Sequence, residues 1–389
     1  MSIFASQRHL FDIPDEISYF NCAYNSPQLK ESQNRLLSGV RSKSRPWERA
    51  PASFFEDAET IRCLSSEIFG GDAAGYAVVP AASYGLSTAA RAIEPHLQAG
   101  DKILVIAEEF PSNVLPWKRT AQETGAVLVT VPTPEGGGWT QALLDKIGQG
   151  VKVVAVSTCH WTNGAFIDLA PVGKACREAG ALLVVDATQT LGAMPFSLAL
   201  VKPDFLVAAG YKWLLGPYGF GLLYVAEEWR DARPLEESWL TRDNALDFTA
   251  LVKYSERYMP GARRFDVGEK CTATILPGAI AALEQIKEWR VSRIAESLAK
   301  MNGRIAEHLE QLGFSLPNAS ERCPHMFGAQ LPEGYAGNLV AELMKQKIYI
   351  SQRGKAVRFA PHLHVTENDG DRLLQAIAEI VDTPGRKWL

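Results

Sequence analysis

Residues 181–225 read ALLVVDATQTLGAMPFSLALVKPDFLVAAGYKWLLGPYGFGLLYV. Three stretches within them, ALLVVD (181–186), FLVAAG (205–210) and GFGLLYV (219–225), are short and apolar without alternation. Strands covered on both faces read this way. The first stretch ends on Asp186. In open α/β sheets ligands bind outside the carboxyl ends of strands, which places Asp186 at the binding crevice. A helix-capping or loop carboxylate is the competing reading, and position alone does not separate the two. Between Asp204 and Glu227 the only charged residue is Lys212. An ammonium is costly to bury. Burial lowers a lysine's pKa and yields a nucleophilic amine, the condition for a Schiff base with a carbonyl. A lysine that snorkels from a strand end to solvent is the alternative. Gly216, Gly219 and Gly221 do not form G-x-G-x-x-G, so a dinucleotide site is not indicated.

Outward from this stretch the same rhythm continues. Further runs of this kind are AVVP (77–80), KILVIA (102–107), AVLVTV (126–131) and VKVVAVS (151–157). Residues 168–180 predict a helix, with Asp168 as cap, Pro171 near the first turn and Gly180 as stop. The alternation predicts an α/β fold whose mostly parallel sheet carries helices on both faces. After Trp229 the pattern changes. Residues 227–266 show no strong period, and 277–312 predict one long amphipathic helix with interruptions. FGAQL (327–331), a helix over 336–347, strand-like VRFAP (357–361) and a helix near 367–381 suggest a smaller α+β unit. Gly136 to Gly138 predicts a loop tip. The expected division is a large domain over 18–255 and a small one formed by 1–17 and 256–389.

Composition excludes several classes. Of 389 residues, 47% are hydrophobic and 22% charged, and the net charge is −4, which fits a globular protein with a large core and argues against nucleic acid as partner. The longest uncharged run, residues 73–90, is interrupted by Gly75, Pro80 and Gly85, which argues against a membrane span. The first residues lack a basic start followed by an apolar stretch. Six scattered cysteines form no C-x-x-C pair, so neither a zinc site nor a disulfide framework is expected. A reducing cytoplasm is the expected location.

The joint pattern D-A-x-Q at 186–189, Gly210, Tyr211-Lys212-Trp213 and L-x-G-P-x-G resembles the pyridoxal-phosphate signature of the class V aminotransferases. That group includes cysteine desulfurases, selenocysteine lyases, kynureninases and isopenicillin-N-epimerase-like enzymes. The likeness runs from about Phe20 to Ala378. It implies the fold type I architecture, with a seven-stranded sheet in the large domain. It implies pyridoxal 5′-phosphate as cofactor, an amino-acid substrate, and a homodimer with active sites at the subunit interface.

The roles it implies fall on particular positions. Lys212 matches the lysine that holds the cofactor and moves the α-proton. Asp186 matches the carboxylate on the pyridinium nitrogen, which keeps the ring an electron sink. Gln189 matches the residue that hydrogen-bonds the phenolic oxygen. Ala82 and Ser83, in PAASYGLSTAARAI (80–93), match the helix start that receives the phosphate. Phe110 stands where the family usually has a stacking histidine, keeping an aromatic plane but losing an imidazole. Tyr211 stands where desulfurases often have histidine and could still reach the phosphate with its hydroxyl. Arg358, in VRFAPHLHVTENDGDRLL (357–374), matches the arginine that grips the substrate carboxylate.

Other departures narrow the reading. Trp161 replaces an asparagine that faces the cofactor in desulfurases, which implies a reshaped pocket unless the indole is core. Glu269, in GARRFDVGE (261–269), replaces a threonine that reaches the partner's phosphate in relatives. The stretch YISQRGKAVR (349–358) has no cysteine where desulfurases carry their nucleophile, which disfavours persulfide transfer. His362-x-His364 is a weak metal signal, and no metal is expected. The implied activity is transamination through a Lys212 Schiff base. A C–S lyase without a persulfide cysteine and an amino-acid epimerase are the alternatives.

Overall fold

A computed structural model of the chain describes residues 4–135 and 138–381. Gly136 and Gly137 of the expected loop tip lie outside the described residues. All seven apolar runs are strands of one sheet. In chain order they are β1 (Tyr76–Val79), β2 (Lys102–Ile106), β3 (Val127–Val131), β4 (Val151–Ser157), β5 (Leu182–Asp186), β6 (Phe205–Ala209) and β7 (Gly221–Val225). Their order across the sheet is β1-β7-β6-β5-β4-β2-β3. Neighbours are parallel except β7, which runs antiparallel to both β1 and β6. Because β7 reverses direction, the link from β6 to β7 stays at the carboxyl end of β6. That link, residues 210–220, carries Lys212.

Both faces of the sheet are buried, as the lack of alternation requires, except at the edge strand β3, where Val127 is exposed and only Val131 is fully covered, because no strand lies beyond it. Val154, Val156, Leu183 and Val185 point into one hydrophobic cluster. Val153, Ala155, Val184 and Val207 point into the other. Each buried valine or leucine among them contributes roughly 1.5–3 kcal/mol. The expected helix at 168–180 spans Leu169–Ala179, and Asp168 accepts from the Ala170 N–H as its cap. Gly180 ends it with a left-handed backbone.

The long helix expected over 277–312 is two helices, Leu276–Trp289 and Val291–Gln311. They meet at Arg290, whose φ is 65°. The buried stripe of the first helix ends at Trp289 and that of the second starts at Ile294, and the chain turns between them. Trp289 and Leu283 belong to the core of the large sheet. Ile305 and Leu309 belong to a separate C-terminal core with Phe20, Phe327 and Phe359. There an antiparallel sheet orders Ser351–Arg353, Ala356–Phe359 and Phe327–Gln330. Residues 227–266 form short 3-10 turns, among them Trp239–Thr241 and Gly261–Phe265. No helix among the described residues is long and apolar enough to cross a membrane.

Candidate active site

The carboxyl edge of the large sheet surrounds a cavity of about 210 Å³. Ala82 and Ser83 follow β1, Phe110 follows β2, Asp186 ends β5, and Tyr211 and Lys212 follow β6. All six line this cavity, as does Gln189. Seven of the eight residues read from the sequence therefore converge on one space. The eighth, Arg358, comes from the C-terminal sheet and contacts the lining residue Trp161.

Lys212 sits on a tightly folded link. Gly210 N–H donates to the Phe220 carbonyl at 2.9 Å, and Gly216 N–H to the Gly210 carbonyl at 2.8 Å. A Cβ on Gly210 would come 2.3 Å from the Phe220 ring, so only glycine fits there. The lysine is buried, and burial pushes its amine down to about 8 against the opposing pull of the Asp186 charge. Its Nζ lies 5.5 Å from the Phe110 ring centroid and 5.8 Å from that of Tyr211. Tyr211 in turn stacks on Tyr218 at 4.0 Å.

Asp186 is buried, and its Oδ1 accepts from the Thr188 N–H at 2.9 Å. Burial raises its carboxyl pKa, while Thr188 and Lys212 act the other way. The helix Ala82–Ile93 begins at Ala81 without a side-chain cap. The Tyr84 and Gly85 N–H groups turn back to the Ala81 carbonyl, which leaves those of Ala82 and Ser83 for an anion in the cavity.

Arg358 occupies the central strand of the C-terminal sheet, opposite Ser351 and Gly328. Its Nη1 donates to the Trp161 carbonyl at 2.6 Å. Nε and Nη2 are buried without partners. Burial, reinforced by the Arg353 charge, pulls its pKa down to about 9. A guanidinium held this way is short of an anion.

Three further wall residues escaped the sequence reading. Glu109 is buried, with Oε1 accepting from the Phe110 N–H at 2.8 Å and Oε2 from the Ser157 N–H at 3.0 Å. Burial and the nearby Asp186 push its carboxyl up to about 7. Ser157 ends β4 beside Asp186, and its Oγ is buried without a partner. Cys159 lines the cavity, and its thiol donates to the His160 carbonyl at 3.9 Å. The position of Glu109 and Ser157 at strand carboxyl ends was the available signal. Nothing in the sequence distinguished Cys159.

The doubtful positions also resolve in space. Trp161 lines the cavity, donates from Nε1 to the Glu108 carbonyl at 2.7 Å and meets Phe110 edge-on at 5.4 Å. Glu269 is exposed and outside the cavity wall. Its neighbour Asp266 is buried between Arg62 and Lys270. His362 and His364 are fully buried, and no group of three or more potential metal ligands occurs among the described residues.

An amine that ionises near pH 8 can condense with an aldehyde. A buried carboxylate with no cation hydrogen-bonded to it can take up a protonated ring nitrogen. Pyridoxal 5′-phosphate carries both groups, together with a phosphate for the uncapped helix end, so the residues present fit it. On a mostly parallel seven-stranded sheet they define a fold type I pyridoxal-phosphate enzyme. Comparison with known proteins narrows the class. The family profile "Aminotransferase class-V" matches residues 44–370, and the chain belongs to that family. Pyridoxal 5′-phosphate is its cofactor.

Among curated relatives, a probable cysteine desulfurase of Pyrococcus abyssi is 30% identical over 59% of this chain. The match spans only 56% of that relative's length. An uncharacterized aminotransferase, YcbU of Bacillus subtilis, is 25% identical over 86% of each chain. Isopenicillin N epimerase of Amycolatopsis lactamdurans is 26% identical over 75% of this chain and 77% of its own. Among solved structures, the apo cysteine desulfurase of Thermococcus onnurineus superposes with a TM-score of 0.84 at 21% identity, covering 98% of this chain and 99% of the other. That likeness speaks to the fold.

Proposed function

We propose that the protein is an aminotransferase acting on an amino acid with a free α-carboxylate. The observation that carries this reading is that, among the described residues, Lys212 is the only amine lining the cavity, while the aromatic rings of Phe110 and Trp161 form the wall near it. The cofactor, when bound, supplies the electron sink that acidifies the substrate's Cα–H. The chain's residues do the rest. Arg358 offers Nε and Nη2 to the substrate carboxylate, a bidentate pairing. Lys212 would take the α-proton at Nζ and hold it on the same face for return across the substrate's nitrogen. One base on one face is enough for that transfer. Asp186 holds the ring nitrogen's proton. Ala82 and Ser83 fix the phosphate, and the Tyr211 hydroxyl joins them. Phe110 provides a flat face with no ionisable group. An epimerase needs a second proton carrier opposite the lysine, and Phe110 cannot serve as one.

A second reading has its own support. Relatives named cysteine desulfurase, and the cysteine thiol at 159 in the wall, favour β-elimination from a cysteine-like substrate. The protein is read as a homodimer with the cavities at the interface. Val252, Tyr254 and Trp47, 80%, 95% and 78% exposed, are large apolar side chains that a partner would cover.

The test is a spectral and product screen of the holoenzyme against single amino acids, without a keto acid. Stoichiometric keto acid, with loss of the visible band, is the expected result and names the donor. Sustained release of pyruvate with ammonia or sulfide would replace the transaminase by the lyase.

A further inference from the structure

Gln189 lies in the cavity wall, and its amide has two possible orientations that differ in which atom meets a ligand. The two exchange the positions of the amide nitrogen and the carbonyl oxygen. The neighbours decide between them. Trp213 is fully buried directly after the lysine, and its Nε1 lies 3.0 Å from Gln189 Oε1. An indole N–H can only donate, so the atom facing it must be the amide oxygen. At the other end Gln189 Nε2 donates to the Ala23 carbonyl at 3.1 Å. A carbonyl can only accept. A flipped amide would set donor against donor at Trp213 and acceptor against acceptor at Ala23. Both contacts therefore select the same orientation.

The backbone of Gln189 is also held. His325, buried without solvent contact, hydrogen-bonds the Gln189 carbonyl through Nε2, which must be the protonated nitrogen. The His325 ring stands edge-on to Trp213 at 4.5 Å and 89°. Burial pulls its pKa down to about 4, so it stays neutral over the working range. The amide nitrogen carries two hydrogens, and Ala23 uses one.

We propose that Trp213 is a positioning residue for the cofactor: its indole N–H fixes the Gln189 amide so that the second amide N–H, not the oxygen, faces the cavity. This rests on the pyridoxal-phosphate reading and extends it from the cavity wall to the layer behind. A fixed donor at this point favours the anionic form of the cofactor's phenolic oxygen. An amide free to turn would offer an oxygen part of the time and repel it. Trp213 thus acts through Gln189, without touching the ligand.

The experiment is a pH titration of the holoenzyme's visible absorbance in wild type, Gln189→Leu, Trp213→Phe and the double variant. Withdrawing a donor from the phenolate strengthens the oxygen's hold on the proton it shares, so the midpoint should rise. Gln189→Leu should raise it by about one pH unit, the size expected for one hydrogen bond to an anionic oxygen. Trp213→Phe should raise it by a smaller amount, and the double variant should match Gln189→Leu. A midpoint in Trp213→Phe equal to wild type, or a Trp213 shift that persists undiminished in the double variant, overturns the proposal. Should Trp213→Phe not fold, Gln189→Glu carries the test. Its ionised carboxylate keeps an acceptor for the indole but can turn only oxygen to the cavity, so its midpoint must rise, and equality with wild type overturns the proposal. A wild-type protein that gains no visible band with pyridoxal 5′-phosphate would overturn the cofactor reading and this inference together, whereas a band with an unmoved midpoint overturns this inference alone.

Discussion

Arg358 donates through Nη1 to the backbone carbonyl of Trp161 at 2.6 Å, which ties the C-terminal sheet to the turn that follows β4. One nitrogen is thus spent on position, and two remain for a ligand. Arg358→Lys keeps a charge but loses the planar fork. Its kcat/KM for amino acids should fall about 10- to 100-fold, mainly through KM, the range expected for charge-assisted hydrogen bonds. Initial-rate kinetics on the donor found in the screen check this, and an unchanged KM would place the anchor elsewhere.

Capture of the cofactor should report the ionisation of Lys212. The amine is protonated below its pKa of about 8 and free above it. The rate at which apo-protein develops its visible band should rise with pH and level off above about 8. Lys212→Ala should show no such band and lose at least about 100-fold in turnover. Stopped-flow absorbance across pH 6 to 10 measures the first, and a pH-independent rate would contradict it.

Glu109 supplies a stability test in the absence of cofactor. Its carboxyl binds a proton more tightly in the folded chain, at about 7, than the ordinary glutamate value of about 4.3. The folded state therefore holds more protons than the unfolded one between these values. Stability from this group is fully present below about pH 4 and is lost as pH rises through about 7. Glu109→Gln should flatten that slope, whatever it does to absolute stability. Urea titrations at several pH values decide the matter, and parallel slopes in the two proteins would refute it.

Asp266 joins Arg62 and Lys270, all three side chains being within 1% of complete burial. Its Oδ1 also accepts from the Val78 N–H at 2.9 Å, which fastens the 261–269 turn to β1. Asp266→Ala would leave two buried cations without their shared anion. A loss of about 3–5 kcal/mol is expected. Denaturant unfolding of the apo-protein tests it, and a loss under about 1 kcal/mol would show that solvent reaches the pair.

The large sheet was readable because each strand is apolar on both faces, and a continuous run such as VKVVAVS has few other uses. Lys212 and Asp186 stood out for a related reason: each is a charged group set into an apolar segment, where burial must be compensated. Arg358 was found only through its family segment, since no local pattern distinguishes a ligand-free guanidinium from a surface one. The break at Arg290 was missed because helical periodicity reports which face is apolar. It does not report which of two cores that face meets. Glu109 and Cys159 were missed because their surroundings come from strands distant in sequence. The lock on Gln189 is of the same kind, as Trp213, Ala23 and His325 converge only in space.

The antiparallel course of β7 and the contact between Arg358 and Trp161 together divide the site between two sheets. The link bearing Lys212 belongs to the large sheet, and the guanidinium is brought by the smaller one. Colour and turnover therefore depend on different parts of the chain: the yellow of bound cofactor reports the lysine, and catalysis also needs the arginine to be in place.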